Sequence, residues 1–261
     1  MSLSPYNTLF IGKVAIHLES IDSTNRYANE MISKSSPIEG TVIYADEQVA
    51  GRGQIGSKWS SSPCQNITMS IVLRPNFLEA RKQFLLNQAI ALGIWDMLAQ
   101  HIDAPSQVSI KWPNDIYINA KKIGGVLIEN RLKGSFIDYS IIGIGLNINQ
   151  TLFDPKIPNP TSLALTNSKN YDLKLLIEQL CSTIEQRYLQ LRSKQYTKLK
   201  EDYLSQLYLY QQAAAYYIPK NDTKVKGIIS GISDQGHLLV KIDQEEQAFS
   251  LKEIKFLHQK L

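Results

Sequence analysis

The apolar residues change period several times along the chain, and each change marks an element. Lys13 to Leu18 (KVAIHL) alternates as a short strand, and Asp22 or Ser23 then supplies an N-cap. Tyr27, Ala28, Met31 and Ile32 follow at helical spacing. Thr41 to Ala45 (TVIYA) is β-branched and aromatic, and Asn66 to Leu73 (NITMSIVL) alternates, so both read as strands. From Leu78 to Ile102 the residues Phe84, Leu85, Ala89, Leu92, Trp95, Met97 and Leu98 form one broad apolar face, which predicts the longest helix and a sheet beneath it. Val108 to Trp112 reads as a strand that breaks at Pro113. Ile116 to Ile118 resumes it, Asn119-Ala120-Lys121 turns, and Lys122 to Glu129 returns as the second arm of a hairpin. A further strand covers Phe136 to Asn149. Paired strands, a long helix and a return to strands predict an α+β fold, a mixed and mostly antiparallel sheet covered by helices.

Pro155 to Asn170 is rich in Pro, Asn, Ser and Thr and reads as a crossing loop, and Tyr171 to Leu191 and Tyr196 to Leu209 as two helices. Lys194, Lys198 and Lys200 make a basic patch there, read as a solvated helix face. Seven of the thirteen tyrosines fall between Tyr188 and Tyr217, a stripe expected to pack between these helices and a tail domain. From about Ala214 the pattern becomes short strands, Tyr216 to Pro219, Lys224 to Ile229, His237 to Ile242, Gln247 to Leu251 and Ile254 to Leu257. Turn residues at Gly231, Asp234-Gln235-Gly236 and Asp243-Gln244 separate them. The chain is therefore expected to divide into 1–212 and 213–261, the second part a small SH3-like β-barrel.

Composition narrows the partners. With 261 residues and 43% apolar content the chain can build a substantial core. A formal charge of +4 suits an anionic ligand but falls short of a nucleic-acid footprint. Cys64 and Cys181 show no pairing pattern and read as free thiols in a reducing compartment. No basic-then-apolar leader and no apolar run of membrane-spanning length is visible, so a cytoplasmic protein is expected. His17, His101, His237 and His258 are too scattered to form a ligand set.

Candidate chemistry concentrates between Ala50 and Trp59 (AGRGQIGSKW), where Gly51, Gly53 and Gly56 alternate with Arg52 and Lys58. Glycine permits close backbone approach, so successive N–H groups can converge on a phosphate or carboxylate beside the two cations. The spacing is not that of G-x-x-x-x-G-K-[ST], and the strand-turn-helix context of G-x-G-x-x-G is missing. A glycine-rich surface loop with scattered charge is the plain alternative. Asn114-Asp115 after Pro113 is a turn signal in its own right. Gly143 and Gly145 weaken a strand interior and are expected to let backbone approach a ligand.

In this order AGRGQIGSKW, KWPND (Lys111 to Asp115), KIGGVLIE (Lys122 to Glu129) and GIGLNIN (Gly143 to Asn149), followed by short strands, resemble a biotin–protein ligase over nearly the whole chain. The resemblance implies a class II synthetase-like ligase core. Because Gly12 to Asn25 already resembles the start of that core, it implies the monofunctional type, without the N-terminal DNA-binding domain that some members carry. It implies ATP and Mg²⁺ as cofactors, biotin as substrate and a biotin carboxyl carrier protein as partner, with no nucleic acid or membrane, in a monomer or homodimer.

By the same resemblance, Ser23, Thr24, Asn25 and Gln48 match positions that read biotin's ureido ring, and Arg52, Gly53 and Gln54 positions that close over its carboxylate. Lys122 matches a lysine that binds biotin near the carboxylate, with Gly124 and Gly125 leaving space for the bicycle. Gly51, Gly53, Gly56, Lys58, Trp59, Lys111, Asn114 and Asn147 match the ATP side. Arg52, Lys111, Asp115 and Lys122 carry the catalytic roles, Asp115 as the group that orients or deprotonates the acceptor lysine and the neighbour of Mg²⁺. The chain departs from the family pattern at Gln54 and Ser57, where many members have arginine. A lipoate–protein ligase or octanoyltransferase of the same architecture, and a non-enzymatic anion- or partner-binding module, are the other readings.

Overall fold

Seven strands form the platform for the site: β1 (Ala15–Ile21), β2 (Thr41–Gln48), β3 (Asn66–Leu73), β4 (Val108–Lys111), β5 (Asp115–Ile118), β6 (Lys121–Lys133) and β7 (Phe136–Asn147). Their order in the sheet is β1-β2-β3-β7-β6-β5-β4. The computed structural model describes residues 8–54 and 58–257, so Gly56, Ser57 and His258 of the sequence reading lie outside the described residues. Helix α1 (Thr24–Lys34) crosses over between β1 and β2 and makes that pair parallel; each other neighbouring pair is antiparallel.

One face of the sheet carries the main core. Helix α2 (Phe84–Ala99) buries residues all round its axis, as a helix enclosed on every side must, because it lies between β4, α4 (Leu173–Arg192) and α5 (Tyr196–Ser205). Each fully buried Ile or Leu there contributes about 1.5–3 kcal/mol relative to exposure. Gly93 brings α4 against α2, since a Cβ at that position would sit 2.7 Å from the Cα of Ile184. On the other face α1 packs over β3 and β7 around a smaller cluster of Ala28, Ile43, Val72, Tyr139 and Ile141.

A second, antiparallel sheet follows, built from β8 (Ala213–Ile218), β9 (Thr223–Ile232), β10 (Leu238–Ile242), β11 (Glu245–Phe249) and β12 (Lys255–Phe256), in the order β11-β10-β9-β8-β12. The α+β reading and the SH3-like tail of the sequence analysis correspond to these two sheets. Tyr216, Ile229, Leu238 and Val240 belong to the same apolar cluster as the main core. Across the junction Trp112 Nε1 donates to Gly236 O at 2.9 Å, and Lys200 pairs with Asp234 at 2.6 Å. The basic patch is thus partly neutralised, Lys198 also pairing with Asp202 at 2.7 Å.

Several bounds differ from the periodicity reading; two have a tertiary cause in the hydrogen bonds, and one helix is not among those expected. The long helix begins at Phe84, not Leu78, because Ala80 N donates to Ser135 O and Glu79 bridges to Phe136, pinning this segment to the β6–β7 hairpin. Helix α5 stops at Ser205, not Leu209, since Ile110 N donates to Gln206 O and Tyr208 N to Ile110 O, drawing the chain alongside β4. The expected crossing loop contains one short helix, α3 (Leu163–Asn167), capped by Ser162 Oγ accepting from Leu165 N at 3.1 Å. A single turn is too short for a hydrophobic period to reveal.

Candidate active site

Cross-strand register assembles the site in two rows. Lys111 faces Asp115, Asp115 faces Gly125, Gly125 faces Gly145 and Gly145 faces Thr68, one line across β4, β5, β6, β7 and β3. Beside it Leu127, Gly143 and Ser70 form the next. Paired residues share a face, so a trough runs across the sheet with two glycines of β7 in its floor. It is a cleft of about 370 Å³, roofed by the N-terminus of α1, the glycine loop and the segment between β11 and β12.

At one end lies a connected polar cluster. Gln48 Oε1 accepts from Thr24 N at 2.7 Å and from Thr24 Oγ1 at 3.1 Å, so it takes the orphan donor at the start of α1. Ser23 occupies the N-cap position but makes no side-chain cap bond, and it borders the cleft. Ser70 Oγ donates to Asn25 Oδ1 at 2.7 Å and lies 2.7 Å from Thr24 Oγ1. Asn25 Nδ2 in turn donates to Glu129 Oε2 at 2.7 Å. Ser23, Thr24, Asn25 and Ser70 are all buried, which fixes these donors and acceptors in place.

The other end is cationic. Arg52, Lys58, Lys111, Lys122, Lys252 and Lys255 line the cleft, against Asp115 as the one acidic residue among the described lining residues. Lys122 Nζ lies 2.6 Å from Asp115 Oδ1, and Lys111 Nζ donates to Tyr117 OH at 2.9 Å. Burial lowers the Lys111 pKa from its ordinary 10.5, with Asp115 opposing and Lys122 reinforcing the shift. Burial also raises the Tyr117 phenol, so it stays protonated beside that lysine. Lys111 and Lys122 are half-buried and held by these partners, while Arg52, Lys58, Lys252 and Lys255 are exposed; such a set of cations can neutralise a carboxylate and a phosphate brought together.

The glycine loop closes over the middle. Trp59 N donates to Gly51 O at 3.0 Å, and Arg52 bridges Lys58, so its two arms run side by side. Arg52 Nη1 lies 3.8 Å from Glu129 Oε1, which ties the loop to the acid already holding Asn25. The trailing arm is anchored where Ser62 N donates to Gln150 Oε1 at 3.1 Å and Cys64 N to Asp46 O at 2.9 Å.

The structure brings Ser23, Thr24, Asn25, Gln48, Arg52, Gly53, Gln54, Lys58, Trp59, Lys111, Asn114, Asp115, Lys122 and Gly125 to one cleft. Gly51, Gly124 and Asn147 are not on its wall. Gly51 packs against Trp59 O, and the space above Gly124 is filled by the Leu146 side chain rather than left for a ligand. Asn147 Nδ2 donates to Thr161 O at 3.0 Å, while its Oδ1 is buried without a partner. Asn114 is also turned inward, Nδ2 bonding Val126 O. Gly143 and Gly145 lie in the cleft floor, and each also makes room for a neighbouring side chain, since a Cβ would overlap the Asn25 amide at the first and the Trp59 indole at the second.

Sequence reading missed Ser70, Glu129, Tyr117, Phe256, Lys252 and Lys255. Ser70 carried a usable signal, since Asn66, Thr68 and Ser70 alternate on one face of a strand whose residues are all buried. Glu129 closed the KIGGVLIE stretch and had no local mark. Residues of the second sheet reach the cleft only through tertiary packing.

Among the described residues no three His, Cys, Asp or Glu side chains come together in a way that could hold a metal. Mg²⁺ takes one or two carboxylates together with nucleotide phosphates, so Asp115 fits an ion arriving with its nucleotide.

The class of this mixed sheet with its cation-lined cleft, given by comparison with known proteins, is that of a protein ligase. The chain belongs to the biotin/lipoate A/B protein ligase family, whose sequence model matches residues 17–147. It is 32% identical over 248 residues to the bifunctional ligase/repressor BirA of Bacillus subtilis, covering 91% of this chain and 72% of that one. The BirA of Bacillus spizizenii is 35% identical over 201 residues, 74% of this chain and 59% of that protein, so the match spans less than two-thirds of its length. The biotin–acetyl-CoA-carboxylase ligase of Paracoccus denitrificans is 26% identical over 92% of this chain and 99% of its own. Among solved structures, the biotin protein ligase from Aquifex aeolicus in complex with biotin and ATP superposes with a TM-score of 0.78 at 27% identity, covering 95% of this chain and all of that one.

Proposed function

We infer that this protein attaches biotin to a lysine of a biotin carboxyl carrier protein, using ATP. It is a biotin–protein ligase, and it works in two steps at one cleft. First a carboxylate oxygen of biotin attacks the α-phosphorus of ATP; the α–β phosphoanhydride bond breaks, pyrophosphate leaves and biotinyl-5'-AMP is formed. The lysine amine then attacks the acyl carbonyl, the acyl–phosphate bond breaks, and AMP leaves as the amine loses its proton.

The observation that carries this reading is the junction of the buried Ser23, Thr24 and Asn25 with the half-buried Gln48 and an array of six cations in one trough. The polar end reads the ureido ring, a flat group with two N–H donors and one carbonyl. Arg52, with the backbone of Gly53 and Gln54, closes over the carboxylate with Lys122, and Lys111 meets the α-phosphate, so two anions can approach in line. Mg²⁺ neutralises ATP phosphates when bound, and Asp115 would hold it. Asp115 also orients the incoming amine, whose free pKa of about 10.4 leaves it protonated at neutral pH, once the 2.6 Å pair with Lys122 opens. Residues 1–212 are assigned to the ligase core and 213–261 to the C-terminal unit. Unpaired Cys64 and Cys181 support a reducing, cytoplasmic setting, and among the described residues no helix is long and apolar enough to cross a membrane.

The test is biotin-dependent exchange of pyrophosphate into ATP, with lipoate and octanoate as competitors. Exchange with biotin and no competition is expected; lipoate-dependent exchange would move the assignment to the other branch of the family, and no exchange with any acid would remove it.

A further inference from the structure

Lys111 is held by more than its own strand. Its Nζ lies 4.9 Å from the ring centroid of Tyr117 and 5.0 Å from that of Phe256, while bonding the Tyr117 hydroxyl at 2.9 Å. Tyr117 belongs to the first sheet and Phe256 to the second, so the ammonium is gripped across the junction. The grip is braced in turn. Tyr208 packs on Tyr117 with centroids 5.4 Å apart and on Phe256 at 6.3 Å, and Tyr216 meets Phe256 edge-on at 5.4 Å. Phe256 pairs with Tyr216 in the β8–β12 register, and Tyr216 is fully buried, so the ring is carried on a fixed backbone. Phe256 and Ile254 also border the cleft.

We propose that Phe256 is a positioning residue for the ligase reaction: with Tyr117 it clamps the Lys111 ammonium so that its remaining N–H donors face the phosphates of ATP. A lysine head on a four-carbon stem is strongly hydrated and rotationally free, and an unheld one delivers little directed charge. Aromatic faces favour a cation while excluding water from it, and a fixed charge in a dry site acts more strongly on a developing negative charge. Two short strands far along the sequence therefore complete a group on the KWPND segment. The role at phosphate rests on the ligase function proposed for the cleft; the clamp itself does not.

The experiment uses the full chain with Phe256→Ala, the milder Phe256→Leu, Lys111→Ala and the Lys111→Ala/Phe256→Ala pair. In pyrophosphate exchange, Phe256→Ala raises the KM for ATP about five- to tenfold and leaves the KM for biotin within about twofold, with Phe256→Leu in between. In the Lys111→Ala background the second change has less than about a twofold effect, because its partner is gone. Equal effects in both backgrounds, or parallel changes in both KM values, overturn the proposal. If the alanine variant melts early, the leucine variant is judged by the same criteria. An amine-reactive label followed by peptide mass spectrometry reads the clamp without catalysis: Lys111 labels at least about fivefold faster in the Phe256 variants than in the parent. An inactive parent with a protected Lys111 would sink the ligase assignment and leave the clamp standing, whereas an active parent whose Lys111 labels as fast as the variants' would sink the clamp alone.

Discussion

Glu129 shows how one carboxylate can serve two parts of a site. One oxygen holds Asn25, whose amide is fixed from the other side by Ser70, and the second faces Arg52 at 3.8 Å. Glu129→Gln keeps an acceptor for Asn25 but removes the charge that draws the loop arginine inward. Half-exposed pairs of this kind contribute about 0.2–1 kcal/mol, so the KM for biotin is expected to rise about two- to fivefold with little change in Tm; an unaltered KM would show that the loop does not need the tie. Lys111 gives a pH signature. Its pKa is lowered by burial from 10.5, so its charge is present below that lowered value and lost as pH rises through it, earlier than for an exposed lysine. Adenylate formation should therefore fall on the alkaline side below pH 10.5, and Lys111→Arg, which stays charged, should flatten that limb relative to the parent. Identical alkaline limbs would assign the titration elsewhere.

The informative elements are β7 and the glycine loop together. Gly145 leaves the space that the Trp59 indole enters, and Gly143 the space for the Asn25 amide. Gly145→Ala must push Trp59 off the strand, an overpacking worth about 1–3 kcal/mol, so KM for the substrates beneath the loop should rise on the order of tenfold while far-UV circular dichroism stays native. A variant with parental KM values would mean that the loop closes without Trp59. Most strands and helices were legible from period: β3 fell where its alternation put it, whereas the start of α2 and the end of α5 moved through bonds to distant segments, such as Ala80 N to Ser135 O. Much of the site was legible as motifs, because Gly53, Lys111, Asp115 and Lys122 lie in short distinctive stretches. What was not legible is what register and tertiary packing decide. Gly124 and Gly125 look alike in sequence, yet Gly125 borders the Asp115–Lys122 pair and Gly124 faces Leu146.

At the scale of the molecule, the two sheets share one core and meet at the candidate cleft. Tyr216 and Val240 join the cluster that contains Leu86 and Ile90, and Trp112 of the KWPND segment bonds Gly236. A junction this apolar should unfold with what it joins, so tryptophan fluorescence and far-UV circular dichroism should report one coincident thermal transition. Two separated transitions would mean that the tail sheet is independently stable and that Phe256 can leave the cleft without global unfolding.

The cleft stands or falls as a place where an acyl adenylate of biotin is made and passed on. Incubating the full chain with labelled biotin, ATP, Mg²⁺ and a biotin carboxyl carrier domain, and following both pyrophosphate release and label on the carrier lysine, reads the two steps at once. Stoichiometric pyrophosphate and a labelled carrier lysine, both strongly reduced in Arg52→Ala and Lys122→Ala but not in Lys198→Ala, are the expected result. Pyrophosphate release that does not depend on biotin, or a carrier that stays unlabelled with every substrate present, would contradict it.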